Sequence, residues 1–257
     1  MADETKATVP VIDRVIELQP ARLLDVDGFP YIDKGNIVAM FKPPIATTLE
    51  VHTLSGFVGM LEGDVEAFAS ELYPNIAVQV EAYDEVALIA TDSDKYGRRF
   101  KPVVAKALKP EKQFAFNQYM AQEEFVIALS SLFVQTESLL ALAQVAGNLA
   151  KETEIRQEDD GFTQRVTAKD GVVRLKEITV KPRVTLQPFR TFLEVDQPEG
   201  EYIFRVQHDE RRGNLCALFE ADGGLWKLKA MDILSSWLKN QLAGSTNVVV
   251  NGLKVIA

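Results

Sequence analysis

Met120-Ala-Gln-Glu-Glu-Phe-Val-Ile-Ala-Leu-Ser-Ser-Leu-Phe133, with the apolar run Leu139 to Leu149 behind it, decides the fold of this chain. Phe125, Leu129, Leu132 and Phe133 recur at i, i+4, i+7 and i+8, the spacing that gathers side chains on one face of a helix. Gln122, Glu123 and Ser130 fall largely on the wetter side. Thr136 can start a second helix, whose Leu139, Leu142, Val145, Ala146 and Leu149 continue the apolar stripe. The result is a central helical pair over about residues 118–150, standing between two strand-rich arms.

Working toward the N-terminus, Ile76 to Val80 and Val86 to Ala90 are β-rich runs separated by a polar turn, which predicts a hairpin. Thr53 can cap a short helix through Leu61, and Asp64 a second one through Leu72, closed by Pro74. Asn36 to Phe41 reads as a short strand ended by Pro43-Pro44. Before it, Val11, Ile12, Val15, Ile16 and Leu18 suit a short amphipathic helix that Pro20 stops. Residues 1–20 therefore form an arm, whose stripe can fold on its own core or lie on a neighbouring subunit. Residues 21–257 form a single α+β body with no clear internal linker.

Toward the C-terminus, Glu158-Asp159-Asp160-Gly161 reads as a turn into a long β region. Asp170-Gly171 predicts a two-residue hairpin turn, because both positions accept positive φ. Strands are expected at Val184 to Leu186, Phe189 to Val195, Tyr202 to Gln207 and Leu215 to Phe219. A helix from Ala230 to Leu242 buries Leu234, Trp237, Leu238 and Leu242, and Val248 to Ile256 reads as a hairpin with an Asn-Gly turn. The fold class is α+β, a helical pair flanked by antiparallel β regions.

Composition sets the outer limits. The chain has 257 residues, 47% hydrophobic and 25% charged, the balance of an ordinary globular protein. Thirty-seven acidic residues against 28 basic ones leave a formal charge of -9, which repels a phosphate backbone and makes nucleic acid a disfavoured partner. A lone Cys216 in an alternating apolar stretch packs as a small hydrophobe and suits a reducing compartment. The N-terminus lacks a signal-peptide pattern, and no segment approaches the roughly 18 apolar residues of a membrane span, so the expected location is the cytoplasm.

The usual catalytic templates fail. The sequence contains no phosphate loop, no paired His at metal spacing and no Gly-x-Ser-x-Gly elbow. His208-Asp209-Glu210 is the nearest constellation, yet neighbours on a strand point to opposite faces, so at most His208 and Glu210 converge. A strand end with solvated charges is the favoured reading, as a turn is for Asp159 and Asp160. Trp226 and Trp237 read as core or interface anchors rather than a stacking box. The basic loop carrying Lys95, Arg98, Arg99 and Lys101 reads as a solvated turn, with an anion or inter-subunit contact as its alternative. No catalytic residue, cofactor or metal is expected.

Leu54-Ser-Gly-Phe57 at a helix start, Asn117-Gln-Tyr-Met-Ala-Gln-Glu-Glu-Phe125, the leucine-rich stretch after it and the β section Leu186 to Phe219 together resemble the YfdQ-like family of phage and prophage proteins, whose function is unassigned. The likeness covers roughly residues 45–250 through loose motifs. The chain departs from it at 92–113, where a histidine and a tryptophan are expected and neither occurs. The resemblance implies a viral origin, in an infected or lysogenic bacterial host, and carries no catalytic residue across. Arm, helical pair and terminal strand also resemble, at the level of topology, the tailed-phage major capsid fold, which is an analogy.

These features lead to a non-enzymatic, self-assembling homo-oligomer, shell- or capsid-like, with Val11, Ile12, Val15, Ile16, Arg98, Arg99 and Trp237 as candidate interface residues. The alternative is an accessory of phage recombination, replication or counter-defence that binds a host protein or a small ligand.

Overall fold

The computed structural model describes residues 22–26, 29–33, 37–39, 47–68, 75–93, 98–149, 155–159, 164–170, 174–180 and 183–257. The chain divides into two compact units, Met1–Ala46 and Thr47–Ala257. In the first, β1 (Arg22–Val26), β2 (Phe29–Asp33) and β3 (Ile37–Ala39) form an antiparallel sheet. The expected strand at Asn36 to Phe41 is present as β3. The expected arm helix with Val11, Ile12, Val15 and Ile16 lies outside the described residues.

The second unit runs β4 (Leu49–Val51), α1 (Leu54–Phe68), β5 (Ile76–Ala82), β6 (Glu85–Ala90), β7 (Val103–Lys106), β8 (Met120–Ala121), α2 (Gln122–Leu132) and α3 (Glu137–Leu149). It continues through β9 (Ile155–Asp159), β10 (Gln164–Asp170), β11 (Arg174–Val180), β12 (Arg183–Leu186), β13 (Gly200–Asp209), β14 (Gly213–Glu220), α4 (Leu225–Ala243), α5 (Val248–Asn251) and β15 (Lys254–Ile256). Among the described residues, no helix is long and apolar enough to cross a membrane.

The central helical pair is borne out as α2 and α3, which cover an antiparallel sheet of order β12-β13-β14-β8. Phe125, Leu129 and Phe133 are buried there against Phe204, Cys216 and Leu218, while Leu132 is half-buried. Thr136 caps α3 as expected, its Oγ1 accepting the Leu139 N–H at 3.2 Å. Gln122 departs from its expected wet position. It is half-buried, and its Nε2 donates to the Ala146 carbonyl at 2.6 Å, tying the start of α2 to α3.

A second sheet, of order β15-β5-β6-β7-β4, is mixed rather than antiparallel. Its β5-β6 hairpin is antiparallel as expected, and β7, a strand not anticipated from the sequence, adds to β6 antiparallel, but both outer strands pair in parallel, β15 with β5 and β4 with β7. One face of this sheet, with Val78, Val80, Val86, Leu88, Val103 and Ala105, packs against α1 and α4. Alternate residues on each strand supply that face, as the pleat requires.

Three local expectations change. One helix, α1, replaces the two predicted around Thr53 and Asp64, because the stripe Leu54, Phe57, Leu61 and Val65 runs past Gly63 without a break and is buried along its length. Tertiary burial outweighs the ~1 kcal/mol that a helical glycine costs. At the C-terminus the Asn-Gly hairpin does not form. Asn247 caps a short helix through bonds from the Val249 and Val250 amides, Gly252 has a negative φ of -81° unlike a type I′ turn, and β15 joins the free edge of β5. The β10-β11 hairpin does form, but Asp170 pairs with Arg174, so three residues separate the strands instead of two.

The start of α1 shows how distant chain supplies a cap. Thr53 Oγ1 accepts the Gly56 N–H at 3.1 Å, and a side chain at Gly56 would collide with that oxygen, its Cβ lying 2.6 Å away. The Glu194 carboxylate takes the remaining first-turn amides, accepting from Leu54 N, from Ser55 N at 3.0 Å and from the Ser55 hydroxyl. Glu194→Ala should therefore cost about 1–2 kcal/mol, the usual worth of a helix cap. Urea denaturation measures it, and Glu194→Gln should recover part of the loss because an amide oxygen still accepts one amide.

Candidate functional site

The segment from Gln187 to Glu199 joins the two cores. Its alternation predicts a strand from Phe189 to Val195, but the structure holds it as an irregular loop. The reason is the buried side chain of Gln197, which stands in for a neighbouring strand. Its Oε1 accepts from Arg190 N at 2.9 Å and Thr191 N at 3.2 Å, and its Nε2 donates to the Phe192 and Val195 carbonyls at 3.0 and 3.3 Å. The loop is fixed at both flanks. Phe189 N donates to Leu132 O at the end of α2, and the Thr191 hydroxyl donates to Tyr83 O in the β5-β6 turn.

This loop forms one wall of a groove of about 740 Å³. Tyr83, Leu108 and Lys109 come from the side of the mixed sheet, Phe114, Phe116 and Leu132 from the helical-pair side, and Trp226 from the first turn of α4. Most of the lining is aromatic or aliphatic, with few polar groups, the character of a ligand site. Leu193 and Leu108 are 73% and 66% exposed, so the groove opens through apolar lips.

Arg190 is the polar centre of the groove. Its guanidinium carbon lies 4.2 Å from the Phe116 ring centre and 4.1 Å from that of Trp226, close enough for cation–π attraction to both. Nη2 donates to Glu220 Oε1 at 2.7 Å. Nη1 is closed off from solvent and has no acceptor among the described residues. The Tyr202 hydroxyl is in the same position, and its ring stacks on Phe116 with centres 5.2 Å apart. Burial pushes the Tyr202 phenol well above its usual range, against the pull of Arg190 and with the help of Glu220 and Asp222. Around the outer end, Lys109 pairs with Asp84 at 2.8 Å, and Lys109 and Lys227 each lie 6.0 Å from the Tyr83 ring centre.

The residues singled out from the sequence stand elsewhere or take smaller parts. His208 is exposed at the end of β13 and bonds through Nδ1 to Asn214 Oδ1 at 2.8 Å. Asp209 accepts the Arg211 and Arg212 amides in the turn to β14, which holds its carboxyl below the usual value. These are the solvated strand-end charges expected there. Among the described residues no three His, Cys, Asp or Glu side chains gather as a metal site. Arg98 is half-buried and Arg99 exposed, neither lines the groove, and Trp237 is half-buried against the second core. Trp226 is both a core anchor and part of the groove wall. Arg190, Phe116 and Glu220 were missed because their meeting depends on contacts between separate elements, which no spacing along the chain reveals.

Cys216 packs as expected, fully buried, and burial pushes its thiol from 9.0 up to about 12. Above pH ~9 the unfolded chain then holds fewer protons than the native one, so this group's contribution to stability is constant below that and falls as pH rises toward about 12. At pH 8 the native thiol should react with a disulfide reagent at least about a hundredfold more slowly than in urea, as followed by absorbance.

Compared with known proteins, the chain matches no family model, no curated protein and no solved structure.

Proposed function

We propose that this protein acts by binding rather than catalysis, as a phage-type building block that joins copies of itself. The observation that carries this reading is an apolar band. Leu193 and Leu108 edge the groove, Leu132 belongs both to it and to an adjoining shallow groove on α2, and Ile127, 60% exposed, lies in that second groove. A run of exposed large apolar side chains crossing two cores suits a surface that another molecule covers. The viral origin rests on the YfdQ-like resemblance alone. The capsid-like reading draws support from the separate N-terminal unit, the three-stranded β9-β11 ladder and the helical pair on its sheet.

Size-exclusion chromatography with light scattering tests it. The chain should run as an oligomer at micromolar concentration, and Ile127→Glu with Leu193→Glu should weaken association by about a hundredfold or more, since an unpaired carboxylate is costly to bury. A stable monomer ends the proposal. The second reading, an accessory protein that binds a host protein or small ligand inside the bacterial cell, is favoured by the size and lining of the Arg190 groove.

A further inference from the structure

We propose that the Arg190 groove takes a small carboxylate with a flat apolar body. This rests on the second reading above, that the groove is a ligand site, and adds the chemistry of the ligand.

The volume of about 740 Å³ is that of a small-molecule pocket. Tyr83, Phe116 and Phe189 are half-buried rings in the lining, against which a flat apolar body packs with little loss of freedom, while Phe114 and Trp226 are buried behind them. The charged lining is two cations, Lys109 and Arg190, against one carboxylate, Glu220, within a chain of net charge -9. Lys227 adds a third cation near the Trp226 ring, at 5.7 Å. Lys109 is held by Asp84 at 2.8 Å and Arg190 by Glu220, so the groove as a whole is near neutral, and it is the unpaired Nη1 of Arg190 that favours an anion over a cation.

Arg190 then sets which anion. A guanidinium has five N–H donors in a plane, and packing against rings leaves its edges for hydrogen bonds. Glu220 occupies Nη2, whereas Nη1 has no acceptor among the described residues. A buried cationic donor without an acceptor is costly, so a ligand oxygen reaching it gains more than the same oxygen would in water. Because Nη1 is shut from solvent, a ligand oxygen reaches it only by displacing a side chain of the groove wall.

Isothermal titration of the full chain with trans-cinnamate and with neutral cinnamamide tests this, with light scattering on the same samples. Cinnamate should bind at sub-millimolar concentration, and cinnamamide about tenfold or more weakly. Arg190→Lys, which keeps the charge but loses the planar edge, should weaken cinnamate by about tenfold. If that variant melts early, Phe189→Ala, which removes a ring from the wall, should give a loss of similar size. Equal binding of acid and amide would keep the groove as a ligand site and overturn the carboxylate. Binding of neither by the folded chain would overturn both, and light scattering reports self-association separately.

Discussion

Phe125→Ala is expected to destabilise the protein by about 3–5 kcal/mol, the cost of emptying a fully buried ring position. Phe125 lies in the middle of the contact between α2 and its sheet, edge-on to Phe114 with ring centres 5.8 Å apart and stacked on Phe204 at 5.5 Å. Alanine there loses the transfer free energy of the ring and leaves a cavity that neighbours on two rigid elements cannot close. The measurement is the midpoint of urea unfolding. Glu123→Ala, two residues earlier and exposed, should move it by no more than about 0.5 kcal/mol. Similar losses in both variants would mean that α2 does not present Phe125 to the sheet.

Arg190→Ala should cost about 2–4 kcal/mol, more than a surface ion pair can supply. The Arg190 side chain is 12% exposed and its partner Glu220 34%, so the substitution strips a partly buried carboxylate of its hydrogen bond and removes the cation from two rings. Trp226 should also become wetter, seen as a red shift of its emission in a Trp237→Phe background. The pair Lys106–Glu50, with side chains 46% and 45% exposed at 2.7 Å, is the control. Lys106→Ala should leave the urea midpoint nearly unmoved, since solvent screens that pair.

The helical pair was legible because its stripe has a period that only a helix satisfies, and Phe125, Leu129, Leu139 and Leu142 are all buried in the structure. The β5-β6 hairpin, β13 and β14 were legible as β-rich apolar runs between turns, with burial that alternates along β13 and is continuous through the middle of β6 and β14. Where periodicity was read without a partner, it misled. Phe189 to Val195 alternates like a strand, yet Gln197 satisfies its backbone from within the loop. Val248 to Ile256 reads as a hairpin, yet the open edge of β5 takes its last three residues in parallel.

The candidate site was almost invisible before the fold was known. Trp226 stood out by type, but nothing near it in the chain marks the Arg190 guanidinium or the Phe116 ring. Glu194 reads as an ordinary surface acid, and it becomes the cap of a helix 140 residues earlier once the two cores meet.

From the sequence alone come the globular-type composition, the acidic charge, the helical pair and the β-rich arms, because hydrophobic period and charge are properties of neighbours along the chain. The tertiary structure alone decided the mixed sheet, the loop braced by Gln197 and the aromatic groove around Arg190. Those depend on which distant edges and side chains satisfy one another's hydrogen bonds and rings, and that pairing has no local signature.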